Sequence, residues 1–396
     1  MSLNETPSAN RIHISFFGMR NAGKSSLVNA VTGQNLSIVS PIAGTTTDPV
    51  KKAMELLPLG PVVITDTPGL DDEGDLGNLR VKKAKEVLAF TDIAILAVDA
   101  QKGLSELDTM LAASFKEKKI PYLTVFTKAD LVKNRTFDAN SIYVSSKTGE
   151  GINELKEKTA SLAAKKTESK KIVADILSEN DIAVLVVPID SSAPKGRLIL
   201  PQQQTIRDLL DGSCITVVCK ETCLAKTLES LGKKPKIVIT DSQVFDYVSK
   251  ITPKDIFLTS FSILFARFKG DLPALVKGAK KLEHLKDGDK ILISEGCTHH
   301  RQCEDIGTVK IPSWIEKFTG KKFDFSFTSG GEFPDSLKDY SLVVHCGGCM
   351  LNEKEMKSRI AHAEAEGVPI VNYGVLIAHM HGILERSLEP FKGETV

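Results

Sequence analysis

Nine residues, GMRNAGKSS at positions 18–26, restrict the amino-terminal part of this chain more than any other feature. They set Gly18, Gly23, Lys24 and Ser25 at the G-x-x-x-x-G-K-[ST] spacing, after the apolar run IHISFF and before the helix-like KSSLVNAVTG. Such a loop works where a strand ends and a helix begins. Its glycines let the backbone wrap around phosphate, while its N–H groups and the helix terminus donate to the anion. Lys24 then reaches the β and γ phosphates, Ser25 offers its hydroxyl to magnesium and Ser26 continues the cradle. The chain must therefore open as β-loop-α.

The pattern continues to Ala164 with VVITDTPG, AKEVLAF, DIAILAVDA, YLTVFTKAD and SIYVSS, alternating short β-rich runs with helical stretches. That alternation predicts a parallel sheet with covering helices. At 396 residues the chain exceeds what one core supports, so further domains are expected. A second α/β set comprises IAVLVVPI, CITVVC, KIVIT and DIFLTSF. A third comprises KILISEG, FDFSFTSGG, SLVVHCG and VPIVNYG, with helices predicted near 272–283, 312–319, 353–366 and 375–386. The expected fold class is thus α/β: three domains with mainly parallel sheets, at 1–168, 169–270 and 271–396.

Three further segments specify the nucleotide. DTPG puts Asp66 at a strand end, where it can hold the metal's water, and Gly69 where its N–H can meet the γ phosphate. In TKAD, Asp130 can accept two hydrogen bonds from guanine N1 and N2, which adenine cannot supply; Thr127 and Lys128 precede it. Ser145, Ser146 and Lys147 would complete the base pocket. Order, spacing and strand context favour GTP/GDP over ATP.

This set resembles the TrmE, Era and Der group of translation-factor-like GTPases. AGTTTD at 43–48 resembles their first switch, with Thr46 expected to contact magnesium beside Ser25 and Asp66. Two departures are Thr127, where asparagine is usual, and Thr47, where those relatives often have arginine. Leu70 follows DTPG where Ras-like enzymes place the glutamine that orients water, and no arginine finger is evident. Such a finger is worth about 10³ to 10⁵ in rate. Asn21 stands where members of the group coordinate K+, so slow hydrolysis stimulated by potassium over sodium is expected.

The remaining chemistry lies in two cysteine segments. LVVHCGGCM ends a buried-strand run with His345, Cys346 and Cys349, and EGCTHHRQCED ends another with Cys297, His299 and His300. In a doubly wound sheet ligands gather outside the carboxyl ends of the strands, so two parallel strands would let these groups converge. Zinc accepts three cysteines and one histidine; a cubane accepts three cysteines and a weaker fourth ligand. A single C-x-x-C turn tilts the choice towards the cluster. Cys303 and Glu304 compete with the histidines for the fourth position. Cys214, Cys219 and Cys223 read as small hydrophobes, and His13, His284, His362, His379 and His381 as surface or core residues.

A GTPase domain with Asn21 and Leu70, a middle α/β domain and a carboxyl-terminal C-x-H and H-C-x-x-C pair resemble the HydF family of FeFe-hydrogenase maturation GTPases, over essentially the whole chain. The resemblance implies a four-iron four-sulfur cluster on Cys297, Cys346 and Cys349, with the fourth iron position labile and His299 and His345 matching the motif histidines. It also implies a scaffold or carrier that passes a two-iron subcluster, made with the radical enzymes HydE and HydG, to apo-hydrogenase, and a middle domain that makes a homodimer.

A net charge of +1 gives no global field for nucleic acid or membrane. No apolar run approaches a membrane span of about 20 residues, the start lacks a signal peptide, and seven cysteines in such a chain suit a reducing compartment, so a cytoplasmic protein is expected. An alternative is an RNA-binding GTPase of tRNA modification or ribosome assembly with structural zinc, but 6% aromatic content gives no basic, aromatic-dotted face. A thioredoxin-like pair of Cys346 and Cys349 would need no Cys297.

Overall fold

The computed structural model describes residues 8–34, 49–69, 83–135, 140–164, 170–189, 198–296, 306–348 and 350–393. It separates into two compact units, Met1–Ser169 and Lys170–Val396.

The first unit is built on a six-stranded sheet of order β2-β3-β1-β4-β5-β6. Its strands are β1 (Ile12–Phe17), β2 (Val50–Leu56), β3 (Gly60–Asp66), β4 (Ile93–Asp99), β5 (Tyr122–Thr127) and β6 (Ser141–Tyr143). All neighbours run parallel except β2, which lies antiparallel along β3. Successive side chains of β1 serve opposite faces: Phe16 packs with Leu27 and Ile64, and Phe17 with Leu88 and Phe115. Each buried phenylalanine contributes about 2–3 kcal/mol of apolar burial. The helices Lys24–Thr32, Glu106–Glu117 and Ile152–Ala164 cover the sheet. The apolar pattern does not reveal β2, because VKKAMEL shows water almost its whole length and takes its place at the sheet edge by pairing with β3.

The second unit holds two parallel four-stranded sheets. One has the order β10-β9-β7-β8, with β7 (Ile182–Val186), β8 (Ile215–Cys219), β9 (Ile237–Thr240) and β10 (Phe257–Ser260). The other has the order β12-β11-β13-β14, with β11 (Lys290–Glu295), β12 (Asp324–Ser329), β13 (Leu342–His345) and β14 (Ile370–Asn372). One continuous core joins them, from Val184 and Ile239 through Leu264 and Leu275 to Ile293 and Val344. Residues 270 and 271 lie between the helices Phe261–Lys269 and Leu272–Lys280, whose buried faces both enter that core. The single helix expected at 375–386 is instead two, Tyr373–Met380 and Leu384–Leu388. The break falls at Gly382, whose φ of +69° is the left-handed conformation that ends helices. Among the described residues, no helix is long and apolar enough to cross a membrane.

Candidate functional sites: a phosphate loop and a cysteine rim

At the carboxyl end of β1 the chain enters the loop at Gly18, whose φ is +146° and whose absent Cβ would sit 2.2 Å from the Ala97 carbonyl oxygen. Only glycine fits there. Asn21 is also left-handed, at φ +63°, a conformation asparagine tolerates better than most residues. Gly23 caps the helix Lys24–Thr32, so Lys24, Ser25 and Ser26 occupy its first turn with their N–H groups unspent on the helix. Lys24 is buried.

Strand β3 delivers Asp66 opposite Phe16 of β1. The Ser25 hydroxyl donates to Asp66 Oδ2 at 2.8 Å, so two groups assigned to magnesium already meet. Asp66 Oδ1 is buried and has no hydrogen-bond partner among the described residues, an orphan acceptor that suits a hydrated cation. Thr67 fastens this strand end to β1 by donating its hydroxyl to Phe16 O at 2.7 Å, and Gly69 passes against the loop backbone at Arg20.

The base motif is tied to the phosphate loop. Thr127 Oγ1 lies 2.6 Å from Ala22 O and 3.1 Å from Val98 O. Lys128 donates to Asn21 O at 3.0 Å and to Asp99 Oδ2 at 2.6 Å. Burial raises the Asp99 pKa, but the Lys128 ammonium and the Gln101 N–H outweigh it and hold the carboxyl below its ordinary value. Asp130 points into solvent and accepts from Ser145 at 2.6 Å. That hydroxyl first, against some desolvation and with help from Lys147, lowers its pKa, keeping it an ionised acceptor. Ser146 and Lys147 follow in the same turn. Asp99 was missed in the sequence, although an aspartate ending the run IAILAVD at a strand's carboxyl end was a usable signal.

The second site lies at the carboxyl ends of β11 and β13, which pair directly and in parallel, Ser294 opposite His345. The Cys346 N–H donates to Ser294 O at 2.9 Å, continuing the ladder one residue past the strand. Cys346 Sγ accepts the Gly296 N–H at 3.0 Å and the Gly348 N–H at 3.4 Å. Two backbone donors aimed at one sulfur suit a metal-bound thiolate, whose charge they disperse. Gly348 needs φ +61° to make this turn, and a Cβ there would meet Met356 Sδ at 2.5 Å. His345 is fully buried with both ring nitrogens engaged: Nδ1 is 2.7 Å from Cys346 O and Nε2 is 3.0 Å from Arg359 Nη1.

Several expected site residues, namely Thr46, Cys297, His299, Glu304 and Cys349, lie outside the described residues, as do Thr47, Leu70, His300 and Cys303. Among the described residues no group of three or more histidine, cysteine and acidic side chains is placed to hold a metal. Of the other cysteines, burial pushes Cys214 and Cys219 up in pKa, as it does for thiols acting as small hydrophobes, but Cys223 is exposed. Arg359 and Lys269, which fasten the cysteine turn from behind, gave no signal in the sequence: each is distant from the motif and reads as an ordinary helix cation.

Comparison with known proteins matches residues 13–128 to a 50S ribosome-binding GTPase model, 172–270 to a hydrogen maturase F dimerization domain and 273–390 to a hydrogen maturase F tetramerization domain. The tRNA modification GTPase MnmE of Legionella pneumophila is 39% identical over 148 residues, covering 35% of this chain and 32% of that protein. GTPase Der of Sulfurimonas denitrificans is 33% identical over 133 residues, 33% of this chain and 27% of that one. The chain thus spans about a third of the length of these curated relatives. Among solved structures, an Aquifex aeolicus Era variant bound to GDP·AlF4− aligns with 82% of this chain and 94% of its own at 16% identity and a TM-score of 0.35. The NFeoB of S. thermophilus bound to GDP·AlF4− and K+ aligns with 38% of this chain and 61% of its own, at 22% identity and a TM-score of 0.32. The MnmE and Der matches cover about a third of the chain, whereas the two maturase models run nearly end to end over more than half of it. With its amino-terminal P-loop GTPase domain and these two domains behind it, the chain belongs to the hydrogen maturase F family.

Proposed function

We propose that this protein is a guanine-nucleotide-switched scaffold for building the FeFe-hydrogenase active site. In this reading Gly18, Gly23, Lys24, Ser25 and Ser26 hold the phosphates of GTP or GDP. Ser25, Thr46 and Asp66 hold Mg2+, and Gly69 meets the γ phosphate. Thr127, Lys128, Asp130, Ser145, Ser146 and Lys147 form the guanine pocket. Asn21 coordinates K+, whose charge replaces the missing arginine finger, so hydrolysis is slow and faster in potassium than in sodium.

Cys297, Cys346 and Cys349 hold a four-iron four-sulfur cluster. When bound, this cluster supplies an iron corner free of cysteine, at which a two-iron precursor can attach. His299 and Glu304 remain candidates for that corner; the engaged ring nitrogens of His345 weigh against it. The cargo comes from the radical enzymes HydE and HydG and goes to apo-hydrogenase. The division at 1–168, 169–270 and 271–396 separates nucleotide, dimerisation and cluster roles in a cytoplasmic homodimer. Nucleotide binding orders the switch loops and changes which partner docks.

The observation that carries this reading is the Gly296 N–H donated to the Cys346 sulfur across two adjacent parallel strands. It sets the backbone beside Cys297 against the H-C-x-x-C turn. The test is anaerobic reconstitution with iron and sulfide, followed by electron paramagnetic resonance of the reduced protein and metal analysis. A four-iron signal lost in Cys297→Ser supports the cluster; a colourless protein with stoichiometric zinc overturns it. Equal hydrolysis rates in potassium and sodium would remove the Asn21 assignment.

A further inference from the structure

We propose that Arg359 is a positioning residue for the cysteine turn: acting through His345, it fixes the Cys346 carbonyl and keeps the His345 ring off the metal. The inference rests on the cluster reading for its purpose, but its geometry stands in the protein without metal.

A guanidinium can only donate. Arg359 Nη1 lies 3.0 Å from His345 Nε2, so Nε2 must accept and the ring proton must sit on Nδ1. Nδ1 then donates to Cys346 O at 2.7 Å. The two bonds run in series, from guanidinium through imidazole to the carbonyl of the cysteine itself. They use both ring nitrogens, and no lone pair on His345 is left for iron.

Arg359 is itself held. Its Nη2 donates to Gly330 O at 3.0 Å and to Glu355 Oε1 at 2.9 Å, and its guanidinium lies 5.1 Å from the Phe333 ring centre. It is 4% exposed and His345 is 0% exposed, so turning the ring towards a metal would leave a buried N–H of a charged group unpaired. A second buried cation secures the far side of the turn, where Lys269 Nζ donates to Leu351 O at 3.0 Å. The segment is thus pinned at the Cys346 carbonyl and at the Leu351 carbonyl by groups that are not ligands. Supports of this kind typically change metal affinity by about 10- to 100-fold when removed.

Two measurements on the full-length chain test this. In the metal-free protein labelled with 15N-histidine, His345, assigned by the resonances lost in His345→Gln, is expected to show the Nδ1–H form. Arg359→Met, or Arg359→Leu should the first fail to fold, removes the donor to Nε2: the proton stays on Nδ1, held by the Cys346 carbonyl, and the Nε2 resonance shifts towards that of an unbonded lone pair. An Nε2–H ring in the parent protein, or shifts unmoved by either replacement, overturns the proposal. In the reconstituted protein, Arg359→Met and His345→Gln should each release iron to a chelator about tenfold faster, and the double variant no faster than the worse single one. Additive effects, or a nitrogen coupling on the parent cluster that His345→Gln removes, would show that the residues do not act in series. A parent chain that takes up no cluster sinks the proposed function alone, because the ring shifts still decide the clamp.

Discussion

The phosphate loop and the cysteine rim both stand at the carboxyl ends of parallel strands, yet they are assembled in opposite ways. The first is nearly continuous in sequence and receives an anion with backbone N–H groups, one lysine and the start of a helix. The second joins strand ends some fifty residues apart, where backbone N–H groups from both segments reach one sulfur and two buried cations stand behind the turn. Local steric rules suffice to build the first. The second exists only because β11 and β13 are neighbours.

If the sites are chemically separate, the largest effects should fall on one and spare the other. Cys346→Ser should reduce the iron bound after reconstitution to background and leave GDP affinity unchanged. Lys24→Ala should weaken GDP by about 100-fold, the loss of a charge-assisted contact, with iron content intact. Iron analysis and fluorescent-nucleotide titration on both variants read this directly, and a joint loss in either would break the contrast.

Next in size is Gly18→Ala. A methyl group 2.2 Å from the Ala97 carbonyl at φ +146° should cost the nucleotide unit about 2–4 kcal/mol, seen as a lowered first thermal transition while cluster uptake persists. Thr127→Val keeps the shape but removes the hydroxyl that holds Ala22 O, and should cost about 1 kcal/mol, a several-fold rise in the GDP dissociation constant.

The smallest effect concerns pH. Because Asp99 has a lowered pKa when folded, its pairing with Lys128 stabilises fully above the ordinary carboxylate value of about 4 and is lost as pH falls through the folded value. Lys128 is over a third exposed, so the gain is under about 1 kcal/mol. Asp99→Asn should flatten that acid limb of the stability curve by lowering the neutral plateau, by under about 1 kcal/mol, to the level the parent reaches in acid.

The same contrast governs how much could be read from sequence. Gly18, Gly23 and Lys24 announce their geometry because the loop's steric demands fall on consecutive residues. The parallel strands were legible from their apolar runs, but β2 was not, since an exposed edge strand carries no burial pattern. The break at Gly382 was passed over because a run of apolar residues on either side imitates one helix. At the rim, strand-end logic placed Cys346 correctly beside β11, whereas the role of His345 depended on Arg359, fourteen residues further on and brought back by a helix. A partner supplied by tertiary packing leaves no mark in the motif that needs it.

The pairing of Ser294 with His345 has one more consequence. Side chains along a strand alternate between faces, so a one-residue insertion or deletion within β13 would exchange the inward and outward positions of histidine and cysteine while every letter of the motif survived. Homologous chains should therefore tolerate length changes in the crossover between these strands far more readily than inside the four residues preceding the first thiol, and an alignment gap at that point would signal a chain that has lost its sulfur site though its motif still scans as intact.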